Sequence, residues 1–223
     1  MDGSEAPLDE LIQQAVTLRE AHDKPLRSGF DNLPPFLQNT LVVSDEVKAA
    51  RELPFEERLR FAVGQRVAGN AHFKEGRLFD AVHCYEEALA VFRFLENKNA
   101  AWRTKGIQDT DIVRHDHVST DEPQAACLRE FYASCYVNIA IALFKMGDYN
   151  QCIQACDAAI SEAPDNAKAF FKRAQARVAS ASAGATDPEL ALQDLSVALK
   201  LAPNDAAVQK EYKKLKVRAR KVL

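Results

Sequence analysis

YVNIAIALFKMGDYNQCIQACDAAISEAPDNAKAFFKRAQAR, residues 136–177, decides the fold. It reads as the end of one helix over 125–146, a second helix over 149–162 and the start of a third over 166–180. Within the second, Cys152, Cys156 and Ala159 step by four and then three, and the same steps recur at Ala81, Tyr85 and Ala88 and at Ala191, Leu195 and Ala198. Such steps place small or flat residues on one helix face, where a neighbouring helix approaches closely. Pro164 to Pro203 is 39 residues, as is Cys152 to Ala191, which equals a 34-residue repeat plus five. The extra five fit in the Ser/Ala/Gly run Ser180 to Ala185. Ala81 to Cys152 is 71, or 34 plus 37, with the surplus mostly in the irregular stretch Asn97 to Gln124.

Composition agrees with helix. Of 223 residues 47% are hydrophobic and 27% charged, with only 8 Gly, whereas many-turned β folds need Gly at positive φ. The net charge of −3 gives no overall cationic field for nucleic acid. The total averages unlike parts: Met1–Ala50 carries nine acids against four bases, and Asn204–Leu223 seven bases against two acids. No window reaches the roughly 18 uninterrupted apolar residues of a membrane span, and the start, MDGSEAPLDE, is acidic where a secretory signal is basic and then apolar. The expected location is the cytoplasm, with the nucleus also open to it. Five cysteines (Cys84, Cys127, Cys135, Cys152, Cys156) form an odd set without a CxxC pair, which suits free thiols in a reducing compartment.

A 34-residue helix-turn-helix period with Ala, aromatic and Ala at these steps is similar to the tetratricopeptide pattern. The matching segments are GNAHFKEGRLFDAVHCYEEAL (69–89), the opening stretch, and LALQDLSVALKLAPND (190–205), with Tyr85, Gly76, Gly147, Tyr149, Pro164 and Pro203 in the expected slots. The first-helix Trp is absent, and Cys replaces the second helix's Ala and aromatic in repeat two. The resemblance implies an all-α solenoid of three helix-turn-helix repeats, at about 62–97, 133–166 and 167–203 within 51–203. A long connection spans 97–124. The helix pairs are expected at 56–76 with 78–97, 125–146 with 149–162, and 166–180 with 187–201. A basic helix at 204–222 caps the open end, with Tyr212, Leu215, Ala219 and Val222 as its apolar stripe. Residues 1–50 form an arm with a short amphipathic helix marked by Leu8, Ile12, Ala15 and Leu18. Its Phe30, Leu33, Phe36 and Leu37 are too apolar for a solvated linker.

In such a solenoid the first helix of each pair lines the concave face. Arg66 and Asn70 are four apart on one such helix, Lys168 and Lys172 four apart on another, and Asn138 occupies the repeat position equivalent to Lys172. Three cations and two amides from three helices converge on one groove, which calls for an anionic ligand. A peptide ending in Asp, with two carboxylates close together, suits it. These five residues resemble the dicarboxylate clamp of chaperone-binding tetratricopeptide domains, which grip the terminal Glu-Glu-Val-Asp of cytosolic Hsp90 and Hsp70. Arg66 and Lys172 swap the Lys and Arg of the family pattern, exchanging a rigid fork and a flexible point charge. By the same resemblance Phe73 and Ile141 line the pocket, and Arg173 shares the last role. GNAHFKEG (69–76), LENKN (95–99), the connection containing Trp102, NAKAFFKRAQA (166–176) and the basic final helix resemble immunophilin-like co-chaperones of the aryl-hydrocarbon-receptor-interacting-protein type. That group usually carries an FK506-binding-type domain ahead of the repeats, for which this chain has no room. Either part of a longer protein or a member without that domain is therefore expected. LPPFL (33–37) followed by LPFEERL (53–59) resembles the Hsp90 co-chaperones of the Cns type.

The implied partners are the Hsp90 or Hsp70 tail and an unspecified client, with no cofactor, metal, nucleic acid or membrane. Two rival readings remain. One is a repeat scaffold that binds internal peptides or helices without a free carboxylate. The other is a metal-dependent enzyme using His115 and His117 with Asp109, Asp111 and Asp116, against which stands a loop-like setting with nothing to organise them.

Overall fold

The computed structural model describes residues 24–180 and 187–219, together with Ile12, Gln13, Ala15, Val16 and Arg19. Ile12 and Ala15 are helical, as the arm's apolar spacing predicts; Leu8, Leu18, most of the five-residue insertion after Ser180, and Val222 lie outside the described residues. The chain builds three helix pairs and a closing helix: Phe55–Lys74 (α1) with Leu78–Ala90 (α2), Glu122–Met146 (α3) with Tyr149–Glu162 (α4), Ala167–Ala179 (α5) with Asp187–Leu201 (α6), and Ala206–Ala219 (α7).

The turns follow from local chemistry. α1 and α3 each end on a glycine in the left-handed region, Gly76 at φ 80° and Gly147 at φ 84°. Each is followed by an amide that reaches back across the last turn, Arg77 N to His72 O and Asp148 N to Leu143 O, both at 3.0 Å. α4 and α5 start on side-chain caps: Asp148 accepts from Gln151 N and Asn166 from Ala169 N, each at 3.1 Å. The nine residues that carry the repeat spacing are all at most 2% exposed, so the stepping by four and three marks the helix-packing seam. α3 has the apolar composition and length of a membrane-spanning helix because it is packed on several sides, with Phe131, Tyr136, Ile139 and Leu143 in the core. α7 covers the last pair with Val208 and Leu215, leaving Lys210, Lys213, Lys214 and Lys216 exposed.

Two expectations are corrected between the first and second pairs. The second helix ends at Ala90, not at residue 97, and the LENKN segment enters a strand, Arg93–Asn97 (β1). The reason is an alternation of side chains that fits a pleated surface: Leu95 is 2% exposed, while Phe94 points the other way beneath Arg51, 3.5 Å from the guanidinium. The stretch around His115, expected as loop, is the partner strand Ile112–Asp116 (β2), antiparallel with Phe94 opposite His115 and Arg93 opposite Asp116. Arg93 ties this hairpin to the repeats, donating to Asp116 (2.5 Å), to Glu162 (2.6 Å) and to the Tyr136 hydroxyl (3.0 Å).

The arm packs into the same core. It makes helical turns at Ser28–Asp31, Pro35–Gln38 and Asp45–Ala50, with Phe30, Phe36, Leu37 and Val47 buried. Polar contacts fix its path: Asp109 accepts from Gly29 N (2.7 Å) and Phe30 N (2.8 Å), and Thr40 Oγ1 accepts from Leu95 N at 3.0 Å. Asn39 Nδ2 donates to both oxygens of Glu86 on α2, at 2.9 and 3.0 Å. Burial pushes the Glu86 carboxyl up to about 7, with the Asn39 hydrogen bond opposing. A carboxyl raised on folding favours the fold fully below its unfolded value near 4.5, and that contribution is lost as pH rises through about 7. Glu86→Gln is therefore expected to flatten the fall in stability between about pH 5 and 8 and to raise it at the upper end by roughly 1–3 kcal/mol. Urea denaturation of both proteins at the two pH values checks this; parallel curves would contradict it.

Candidate functional site

The first helices of the three pairs carry related side chains at i, i+4 and i+7: Arg66, Asn70 and Phe73 on α1; Ser134, Asn138 and Ile141 on α3; Lys168, Lys172 and Gln175 on α5. The first two rows meet side by side. Arg66 Nη1 donates to Ser134 Oγ at 3.0 Å, and Asn138 Nδ2 donates to Asn70 Oδ1 at 3.1 Å. The Tyr85 hydroxyl donates to that same Asn70 oxygen at 2.9 Å. With its oxygen engaged twice, Asn70 has its two N–H donors to offer. Among the described residues Arg66 meets only the serine hydroxyl, and its Nε is buried without a hydrogen-bond partner.

The third row adjoins the second through an aromatic ring. Lys172 Nζ lies 4.3 Å from the Phe144 ring centroid and donates to Gln175 Oε1 at 2.7 Å. Burial lowers its pKa, and the Lys145 ammonium adds to that. Lys168, one turn earlier, is exposed and makes no hydrogen bond or ion pair among the described residues. Asn70 and Asn138 thus touch directly, whereas the two lysines join the group from the neighbouring helix.

The supporting residues divide. Phe73 and Ile141 are half-buried and pack against the core. Arg173 does not belong to the groove. Its side chain is 16% exposed and held by Asp157 (2.5 Å) and Asp194 (2.6 Å), because its one-residue offset from Lys172 turns it toward α4 and α6. Lys145 is the residue that sequence reasoning missed: its Nζ lies 4.1 Å from the Phe73 ring centroid. The signal was present, since Lys145 stands seven residues after Asn138, two turns along the same face.

Charge pairing separates this face from the arginine networks on the neighbouring helices. Arg93, Arg173 and Arg177 each hold buried or half-buried carboxylates. Arg66, Lys145, Lys168 and Lys172 have no carboxylate partner among the described residues. Four unpaired cations beside two amides, on three adjacent helices, can take an anionic ligand by charge-assisted hydrogen bonds.

The histidine pair is engaged otherwise. His115 stacks on Phe94 (centroids 4.7 Å) and meets Glu96 at 2.8 Å, while His117 packs against Phe55 and Phe92. Asp109 caps the arm. No three His, Cys, Asp or Glu side chains are grouped as metal ligands among the described residues.

One glycine underpins the site. A Cβ on Gly69 would stand 2.6 Å from Tyr85 Cε1, so this residue lets α1 close on the ring that orients Asn70. Gly69→Ala is expected to lower stability by about 1–3 kcal/mol through overpacking, against the helix propensity it gains. An unchanged or higher melting temperature would contradict this close approach.

Residues 133–166 match the tetratricopeptide repeat family. The chain is 28% identical over 202 residues to the peptidyl-prolyl cis-trans isomerase FKBP42 of Arabidopsis thaliana, covering 87% of this chain and 48% of that protein. It thus spans about half the length of this relative. Among solved structures, the C-terminal TPR-containing domain of an FK506-binding protein from Plasmodium falciparum superposes with a TM-score of 0.56 at 20% identity, covering 78% of this chain and 97% of that one. The Hsp90 co-chaperone Cns1 from Saccharomyces cerevisiae gives 0.52 at 18% identity, covering 73% and 40%. The chain thus carries one matched tetratricopeptide repeat, at 133–166, within a helical-repeat fold like that of these TPR-containing structures.

Proposed function

We propose that this domain is a co-chaperone adaptor that grips the acidic C-terminus of Hsp90 or Hsp70, of the Glu-Glu-Val-Asp type. The observation that carries the reading is the set of unpaired cations, Arg66, Lys168 and Lys172, beside the linked amides of Asn70 and Asn138. A terminal Asp brings an α-carboxylate and a side-chain carboxylate within reach of one another, and the groove offers N–H donors of three kinds to them. Phe73 and Ile141 supply apolar surface beside the amides, and Lys145 adds a cation for an acidic residue further up the peptide. The fold likeness to Cns1, itself an Hsp90 co-chaperone, supports the same reading. The domain acts by binding, without catalysis, and in the cytoplasm, where it joins the chaperone to a client.

Calorimetric titration with the peptide MEEVD tests this. Binding with a dissociation constant of micromolar order is expected, weakening clearly between about 0.05 and 0.5 M salt, because exposed ion pairs are screened. Absence of binding at the lower salt would overturn the proposal.

A further inference from the structure

A cavity of about 370 Å³ lies between the arm, α2 and the turn at Trp102, and shares no residue with the groove on α1, α3 and α5. Phe30, Trp102 and Ile107 give it apolar walls, and Asn39, His83 and Glu86 give it a polar side. Its size falls in the range of small-molecule sites.

Glu86 is the unusual member. Three acids are buried among the described residues: Asp194 is 4% exposed, Glu86 7% and Glu87 8%. Asp194 is held by two arginines, and Glu87 has the Ser44 amide at 3.2 Å and the His83 imidazole at 3.8 Å. Among the described residues Glu86 has the neutral amide of Asn39 alone. The guanidinium groups beside the cavity's aromatic walls are otherwise occupied. Arg27 pairs with Asp31 at 2.7 Å, and Arg103 lies over the Trp102 ring at 4.7 Å. A carboxylate offers about four lone-pair sites, and one amide nitrogen leaves some of them unused. Its raised pKa is the cost of holding that charge with no cation beside it.

We propose that this cavity binds an organic ammonium ion, its charged head on Glu86 and its apolar stem against Phe30, Trp102 and Ile107. A bound cation offsets the desolvation of the carboxylate, and the stem covers the aromatic walls. The ammonium belongs either to a free amine or to the lysine side chain of a bound protein. The two share one chemistry and differ in the group attached at the far end of the stem.

Trp102 is the chain's single tryptophan, so its fluorescence reports on this cavity. The full chain is titrated at about pH 8, where Glu86 is ionised, with n-pentylammonium chloride, with Nα-acetyl-lysine methylamide and with n-pentanol as the neutral isostere. A saturable change is expected for at least one ammonium compound, at a concentration at least about tenfold below that for the alcohol. A response to pentylammonium alone assigns the site to free amines, and one to the lysine compound, alone or as well, to a peptide side chain. Glu86→Gln is expected to abolish the difference between ammonium and alcohol, and Lys168→Ala to leave it intact. Equal half-saturation by pentanol in the unsubstituted protein, a comparison that needs no variant to fold, would overturn the proposal. So would no saturable response to either ammonium compound, or an unaltered preference in Glu86→Gln.

Discussion

Replacing Asp194 by Ala is expected to cost about 3–5 kcal/mol of folding stability, the loss typical of a buried ion pair stripped of one partner, and to lower the melting temperature by on the order of 10 °C. Asp194 on α6 accepts from Arg173 Nε (3.0 Å) and Nη2 (2.6 Å) and from Arg177 Nη1 (2.5 Å). Arg173 also reaches Asp157 on α4, so one guanidinium joins three helices. Burial pulls the Arg173 pKa down, but the hydrogen bonds to Asp194 and Asp157 outweigh it and hold the charge in place. Without Asp194 two half-buried guanidinium groups lose their shared acceptor. Arg177 then keeps only the Leu190 carbonyl, at 3.3 Å, and Arg173 only Asp157. Asp194→Asn, which retains one acceptor oxygen, is expected to lose less. Denaturant unfolding of the two variants checks the order; a loss under about 1 kcal/mol for the Ala variant would show the network to be a surface pairing.

Lys172→Ala is expected to weaken binding of an acidic C-terminal peptide by roughly 30- to 100-fold, equivalent to about 2–3 kcal/mol, with little change in stability. The ammonium is half-buried between Phe144 and Gln175, so its attraction for a carboxylate is less screened than that of exposed Lys168. Lys168→Ala is expected to cost only several-fold. Because burial and Lys145 lower the Lys172 pKa, affinity should begin to fall at a less alkaline pH than for an ordinary lysine. Calorimetry on both variants decides it, and equal losses at the two positions would contradict the difference in burial.

The repeat frame was legible because helix packing leaves a regular mark: nine small or flat residues at steps of four and three, all of them buried. The contact between Asn70 and Asn138 was legible for the same reason, since repeat arithmetic alone placed these side chains on facing first helices. Arg173 was misread because a one-residue offset on a helix decides which neighbour a side chain meets, and its true partners, Asp157 and Asp194, lie on helices 16 and 21 residues away in sequence. The hairpin was missed because its pairing is non-local: Phe94 stacks on His115 across the strands, and that stretch alone reads as loop. The arm's docking was only half visible. Its apolar residues showed that something must cover them, but the polar contacts that fix its path, Asp109 with Gly29 and Asn39 with Glu86, join segments 80 and 47 residues apart.

The most direct test of the binding proposal is a paired calorimetric titration of the domain with MEEVD and with the same peptide carrying a C-terminal amide. The amide removes one negative charge and leaves every side chain in place. If the cations and amides of α1, α3 and α5 hold a free terminus, the amide is expected to bind at least about tenfold more weakly. Equal affinity for the two peptides would contradict the proposal and point to a groove that takes internal segments.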